Sequence, residues 1–114
     1  MKKKILIIGS SGNLGNYLFK ELKKKNDLIG IQRYKKKNFF ECKDLSDVNM
    51  NLKTFKLIKK KYSNLDAIII CSGKSKKDTS SNIEKKFINS LRSNLLTIVN
   101  SIDSYQKVFK NKQT

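Results

Sequence analysis

Three glycines carry the first chemical signal in this chain. Gly9, Gly12 and Gly15 stand three residues apart, directly after the apolar run 5–8 and at the start of a helical pattern. A glycine at the first position permits a tight turn off a strand. At the second, the missing Cβ lets the backbone approach a bound group. At the third, it lets the helix pack against the sheet. Free N–H groups at the start of that helix attract an anion, and the spacing suits a pyrophosphate. The chain has 5 glycines and this motif takes three of them, which argues against coincidence. Other chemistries lack parts. With no histidine and 2 cysteines, a structural zinc site is short of ligands. A serine or cysteine hydrolase has no evident base.

The elements that must position this motif can be read from periodicity. Residues 5–8, Ile-Leu-Ile-Ile, form a short apolar run that suits a strand buried on both faces. Leu14, Tyr17, Leu18 and Leu22 recur at helical spacing, and lysines at 23–25 close the last turn. Residues 28–31 read as a second strand and 39–42 as a short third one. Ser46 or Asp47 caps the next helix, whose apolar side is Leu52, Phe55, Leu57, Ile58 and Tyr62. Residues 65–71 form a fourth strand, followed by a polar loop from Ser72 to about Ser81. A long helix then carries Ile83, Phe87, Leu91, Leu95, Ile98, Ile102, Tyr105 and Phe109 as one stripe, with a kink expected near Ser93 and Asn94. This alternation predicts an α/β fold: a Rossmann-like, doubly wound parallel sheet with strand order 3-2-1-4, helices on both faces, ending after the helix that follows strand four.

Length bounds the organisation. A chain of 114 residues has room for one domain and one core, so residues 1–114 are read as a single, partial domain. No apolar run approaches the length of a membrane span. The lysines at 2–4 mimic the start of a signal peptide, but the apolar run behind them ends at Gly9. A cytoplasmic protein with no membrane partner is expected. The net charge of +17 raises a nucleic-acid or acidic-membrane partner. Against it, lysine, asparagine and isoleucine abound while Pro, His and Trp are absent and Ala67 is the only alanine. The lysines follow no single face in the sequence, and no aromatics interleave with them as in a stacking platform. The charge is therefore read as codon composition rather than as a nucleic-acid site.

The residues also carry a resemblance. The stretch 5–15, and Asp44-Leu45 after the third strand, are similar to the short-chain dehydrogenase/reductase family, as is 65–73 with its Cys71-Ser72-Gly73 end. The stretch 87–96 resembles the family helix that carries the asparagine of the catalytic tetrad, and Asn94 takes that place. The resemblance covers nearly the whole chain, in order. It implies an NAD(P)-dependent oxidoreductase exchanging a hydride with a carbonyl or alcohol carbon, that of a sugar nucleotide being one option. Asp44 would meet the adenine amino group, and the turn at Ser72-Gly73 would lie along the cofactor ribose. The implied cofactor-binding set is Gly9, Ser11, Gly12, Asn13, Leu14, Gly15, Arg33, Asp44, Leu45, Cys71, Ser72 and Gly73, with Asn94 in a supporting catalytic position.

Two features depart from the family. The glycine spacing is that of its extended, sugar-nucleotide branch, whereas Asn94 is similar to the single-domain enzymes, so the branch stays open. The family active site also needs a serine after a fifth strand and a tyrosine with a lysine four residues later. The tyrosines here are Tyr17, Tyr34, Tyr62 and Tyr105, and four residues on stand Glu21, Asn38, Asp66 and Phe109. The chain is therefore read as a fragment, a frame-disrupted product or a remnant, inactive by itself. A non-catalytic nucleotide-sensing or interaction module and a basic nucleic-acid-binding module are the competing readings.

Three expectations complete the picture. NAD-binding sheets of this kind place an acidic residue at the end of the second strand. Here Ile31-Gln32-Arg33-Tyr34-Lys35 has cations and no carboxylate, which favours NADP over NAD. Cys42 and Cys71 fall on strands three steps apart, roughly 14 Å at about 4.8 Å per step, beyond a disulfide's reach, so both are expected as reduced, buried thiols. Strand four has no fifth strand to cover it, and the stripe on the last helix lacks part of its sheet face. Self-association through that helix, or partial folding, is expected.

Overall fold

The computed structural model describes residues 2–9, 12–71 and 83–110. Its elements are β1 Lys4–Ile8, α1 Asn13–Leu22, β2 Asp27–Gln32, β3 Phe40–Glu41, α2 Val48–Tyr62, β4 Ala67–Ile70 and α3 Ile83–Tyr105. A π-helical segment, Gln106–Lys110, continues α3. The four strands pair in parallel, in the order β3-β2-β1-β4, as the alternation predicts. The third strand is reduced to two residues. The fourth is shorter than 65–71, because Leu65 precedes the pairing and packs into the core instead. No described helix is long and apolar enough to cross a membrane.

β1 is the centre of the sheet. Ile5 stands opposite both Leu28 and Ala67, and Ile8 opposite both Ile31 and Ile70. Leu6, Ile7 and Ile8 are fully buried. Alternation along a strand sends Leu6 and Ile8 to one face and Ile7 to the other. On the first face they join Ile29, Ile31, Phe55, Ile58 and Leu65 in the main core cluster, so α2 covers this side. Ile7 faces the α1 side. α2 begins at Asp47, whose carboxylate accepts from the Met50 N–H at 2.9 Å. Of the two expected caps, Asp47 takes the role.

α3 departs from expectation. It runs as an unbroken α-helix through Ser93 and Asn94, and its winding changes only at the π-helical segment. Its buried residues are Thr97, Asn100, Ser101 and Ser104, a polar face laid against α2. The apolar stripe points outward along most of α3, as expected of a helix that lacks part of its sheet face: Phe87 is 66% exposed, Leu91 57% and Leu95 56%. At its C-terminal end the stripe turns inward: Tyr105 and Phe109, with Val108, pack onto the core cluster. In a π-helix each residue turns through a smaller angle than in an α-helix. That lag keeps Val108 and Phe109 on the core side that Tyr105, the last residue of α3, has already reached.

The lysines are also arranged differently from their reading in sequence. The runs at 2–4, 23–25 and 59–61 come to one end of the molecule. Lys3 O accepts from the Asp27 N–H at 2.8 Å, Lys4 O accepts from the Asp66 N–H at 2.9 Å, and Lys4 Nζ donates to Tyr62 O at 3.0 Å.

Candidate functional site

The site begins where β1 ends. The chain turns at Gly9 with φ of 85°, a left-handed conformation that a side chain would strain. The Gly12 N–H donates to Gly9 O at 3.2 Å and closes the turn. Gly12 is the N-cap of α1 and has no side chain to cap it. The first helical bond runs from the Asn16 N–H to Gly12 O at 2.8 Å. Among the described residues, the N–H groups of Asn13, Leu14 and Gly15 are therefore left without a partner. No acidic residue occupies the first turn to compensate the positive helix end. A Cβ on Gly12 would meet Gly9 O at an ordinary 3.6 Å. Gly15 is the buried residue of α1.

A cleft of about 240 Å³ opens over the carboxyl ends of β1, β2 and β4. This is the point where the strand order switches, with β2 on one side of β1 and β4 on the other. Gly9, Gly12, Arg33, Asp44, Leu45, Cys71 and Asn94 all line it. Asn13, Leu14 and Gly15 sit on the adjoining first turn of α1 without lining it. Ser11, Ser72 and Gly73 lie outside the described residues.

Asp44 is exposed, and its Oδ1 accepts from the N–H and hydroxyl of Ser46, the N–H at 3.0 Å. Those bonds fix the carboxylate and leave Oδ2 for another donor. Cys71 is tied to β1 through its N–H, which donates to Ile8 O at 2.8 Å. Burial pushes the Cys71 thiol up, so it stays protonated at neutral pH. Cys42 is buried and Cys71 half-buried, less than expected, since Cys71 forms part of the cleft wall. None of the tyrosines lines this cleft. Tyr105 spends its hydroxyl on Leu65 O, at 3.2 Å.

Several residues escaped the sequence reading. Gln32, Lys43, Ser93 and Thr97 also line the cleft. Lys43 sits beside Asp44 and adds a second cation to the side that holds Arg33. Ser93 and Thr97 flank Asn94 by one residue and one turn, a spacing that could have identified them. Asn51 and Asn100 are buried and act from below. Asn51 Nδ2 donates to Leu45 O at 2.9 Å and to Ser101 Oγ at 3.1 Å. Asn100 Nδ2 donates to Ser46 O at 2.9 Å. Two helices thus clamp the carbonyls of the turn that presents Asp44. Asn51→Leu should lower stability by about 1 kcal/mol, because it removes the bonds to Leu45 O and Ser101 Oγ and leaves Leu45 O only the 3.5 Å bond from Asn100. In a chain of this size that is a fall of roughly 4–8 °C in Tm per kcal/mol. A thermal melt unchanged by the substitution would remove the clamp from the account.

The profile of the NAD dependent epimerase/dehydratase family matches residues 5–110. No curated protein matches the sequence. Among solved structures, a 3-oxoacyl-[acyl-carrier protein] reductase from Brucella melitensis is similar with a TM-score of 0.82 and 17% identity, over 100% of this chain and 53% of that one. ElxO with NADPH bound gives 0.76 and 21%, over 94% and 50%. A short chain dehydrogenase from Leptospira borgpetersenii with bound NAD+ gives 0.75 and 17%, over 94% and 46%. At these identities the likeness is one of fold. The chain spans about half the length of the structures it matches.

Proposed function

The chain belongs to the NAD-dependent epimerase/dehydratase family, and we propose that residues 1–114 are the dinucleotide-binding half of a short-chain-type oxidoreductase that prefers NADP. One observation carries this reading: the uncapped start of α1 and the side chains of Arg33, Asp44 and Asn94 meet at one cleft, at the switch point of the sheet. The N–H groups of Asn13, Leu14 and Gly15 would bind the pyrophosphate. Asp44 Oδ2 would accept from the adenine amino group, with Ser46 holding the carboxylate in place. Arg33 and Lys43 would pair with a 2′-phosphate. Ser11, Ser72 and Gly73 would complete the set along the ribose. The bound nicotinamide would supply hydride chemistry toward a small carbonyl or alcohol substrate, while the protein supplies position. Asn94 would stand beside the nicotinamide side of the cleft in a supporting role. A cytoplasmic setting fits the two thiols, and the exposed stripe of α3 fits a second copy of the chain.

Titration with NADPH and NADH at one salt concentration tests the proposal. NADPH should bind the more tightly. Neither cofactor should be steadily oxidised in the presence of carbonyl compounds, because no tyrosine with a lysine four residues on is there to donate a proton, help that is typically 10²–10⁴-fold. No binding of either cofactor sinks the site. Tighter NADH binding sinks the preference. Steady NADPH oxidation abolished by Asn94→Ala would show that the proton donor has been misplaced.

A further inference from the structure

The cleft occupies the carboxyl end of the sheet, and the opposite end carries a feature that cofactor binding leaves unused. In a parallel α/β sheet, strands begin where helices end, so strand starts and helix ends share one pole. Here that geometry gathers the three lysine runs. The run at 2–4 leads into β1, 23–25 follows α1, and 59–61 forms the last turn of α2. A groove between them is lined by Lys2, Lys4 and Lys23 with Asn26, Asp27 and Tyr62. The π-helical segment extends the field: Lys59 Nζ lies 5.2 Å from the Phe109 ring and Lys110 Nζ 5.6 Å from the Tyr105 ring.

The carboxylates here, Asp27 in the groove among them, are outnumbered by the lysines and neutralise it only in part. Glu21 pairs with Lys24 at 3.2 Å, Asp103 pairs with Lys107 at 3.0 Å, and Asp66 Oδ2 accepts from the Lys4 N–H at 2.8 Å. Among the described residues, Lys2, Lys3, Lys23, Lys25 and Lys60 have no ion-pair partner. Clustered like charges that no local acid offsets create a potential that concentrates a polyanion.

The surroundings select which polyanion. Apart from Leu57, the exposed large apolar side chains stand on α3, in the first two turns of α1 and α2, or at Tyr34. An anionic bilayer holds a protein stably when charge is joined by apolar insertion, and among the described residues this pole offers only Leu57 and, at the end of α3, Ile102, too few for an anchor. Stacking on single-stranded bases needs exposed aromatic faces, and Tyr62 is half-buried with Lys61 Nζ 5.4 Å from its ring. Lysine heads are point charges suited to phosphate rather than to the paired edge of a base. We infer that the lysine pole binds the phosphate backbone of duplex nucleic acid without reading its sequence, at the end of the molecule opposite the cofactor cleft.

Fluorescence anisotropy of the full chain with a random-sequence DNA duplex, across a salt series, tests this. The triple variant Lys23→Glu, Lys25→Glu, Lys60→Glu should bind at least ~10-fold more weakly and flatten the log–log salt slope by roughly two to three, since each phosphate contact contributes about 0.9. The triple variant Lys37→Glu, Lys53→Glu, Lys85→Glu makes the same change in net charge away from the pole. It should cost at most about threefold, the screened long-range share of the field. Glutamine versions of both triples, with circular dichroism, separate lost contacts from lost folding. The proposal is overturned if both triples weaken binding equally, if duplex is not bound at the lowest salt, or if phosphatidylserine vesicles are bound more tightly than duplex.

Discussion

Arg33→Ala combined with Lys43→Ala should weaken NADP binding about a hundredfold or more and leave NAD binding within about threefold. Both residues line the same side of the cleft, Arg33 just past the end of β2 and Lys43 just past β3. A hydrogen bond to a charged group contributes about 1.5–3 kcal/mol, and each 1.4 kcal/mol is tenfold in affinity. Two such contacts to a 2′-phosphate therefore account for a hundredfold or more. NAD lacks that phosphate, and neither substitution touches the start of α1 that would hold its pyrophosphate. Calorimetric titration of the variant with both cofactors gives the answer. Equal losses for the two would mean that the cations act only as general field. A loss confined to Arg33→Ala would remove Lys43 from the site.

The second large effect concerns α3. The chain should sediment as a dimer or larger species, and Leu91→Lys with Leu95→Glu should convert it to a monomer. Phe87, Leu91 and Leu95 are each more than half exposed. Covering a large apolar side chain contributes roughly 1.5–3 kcal/mol. Five or so along the stripe exceed the lower end of the association cost, about 4 kcal/mol. Breaking two of them should shift the association constant at least ~100-fold. The charge of +17 opposes assembly, so added salt should strengthen it. Sedimentation velocity with a thermal melt decides: an unmodified chain that runs as a monomer with one sharp, cooperative transition would mean that the stripe needs no cover.

Strand order was legible because its signals are local. The run 5–8 announces a strand buried on both faces, and the glycines after it announce the turn. Arg33 follows from its place at the end of the second strand, whereas Asp44 and Asn94 could be assigned only through the resemblance, since a lone carboxylate or asparagine has no periodicity. What escaped the reading depends on contacts distant in sequence. The stripe on α3 repeats so regularly that it reads as the packing face, yet Thr97, Asn100 and Ser101 hold that place. Asn100 meets the Leu45 and Ser46 carbonyls and Ser101 meets Asn51, some fifty positions earlier, and one sequence does not reveal such a match. The lysines read as scattered for the same reason, because only the topology brings the ends of α1 and α2 to the start of β1.

The polar docking of α3 also sets a clock. The buried side chains that α3 brings to α2 are polar, Thr97, Asn100, Ser101 and Ser104, so lifting this helix should return amides and hydroxyls to water and uncover little apolar surface of its own. The free energy of such an opening is a small part of that for global unfolding. Because little surface is uncovered, it depends only weakly on denaturant. Tyr105, Val108 and Phe109 pack against the core cluster, so the C-terminal end should stay tethered in such an opening. β1, with partners on both edges and both faces, opens only when everything does. The cleft is thus built from walls of unequal persistence: the strand ends with Gly9 and Arg33 form the slow wall, and Ser93, Asn94 and Thr97 ride on the fast one.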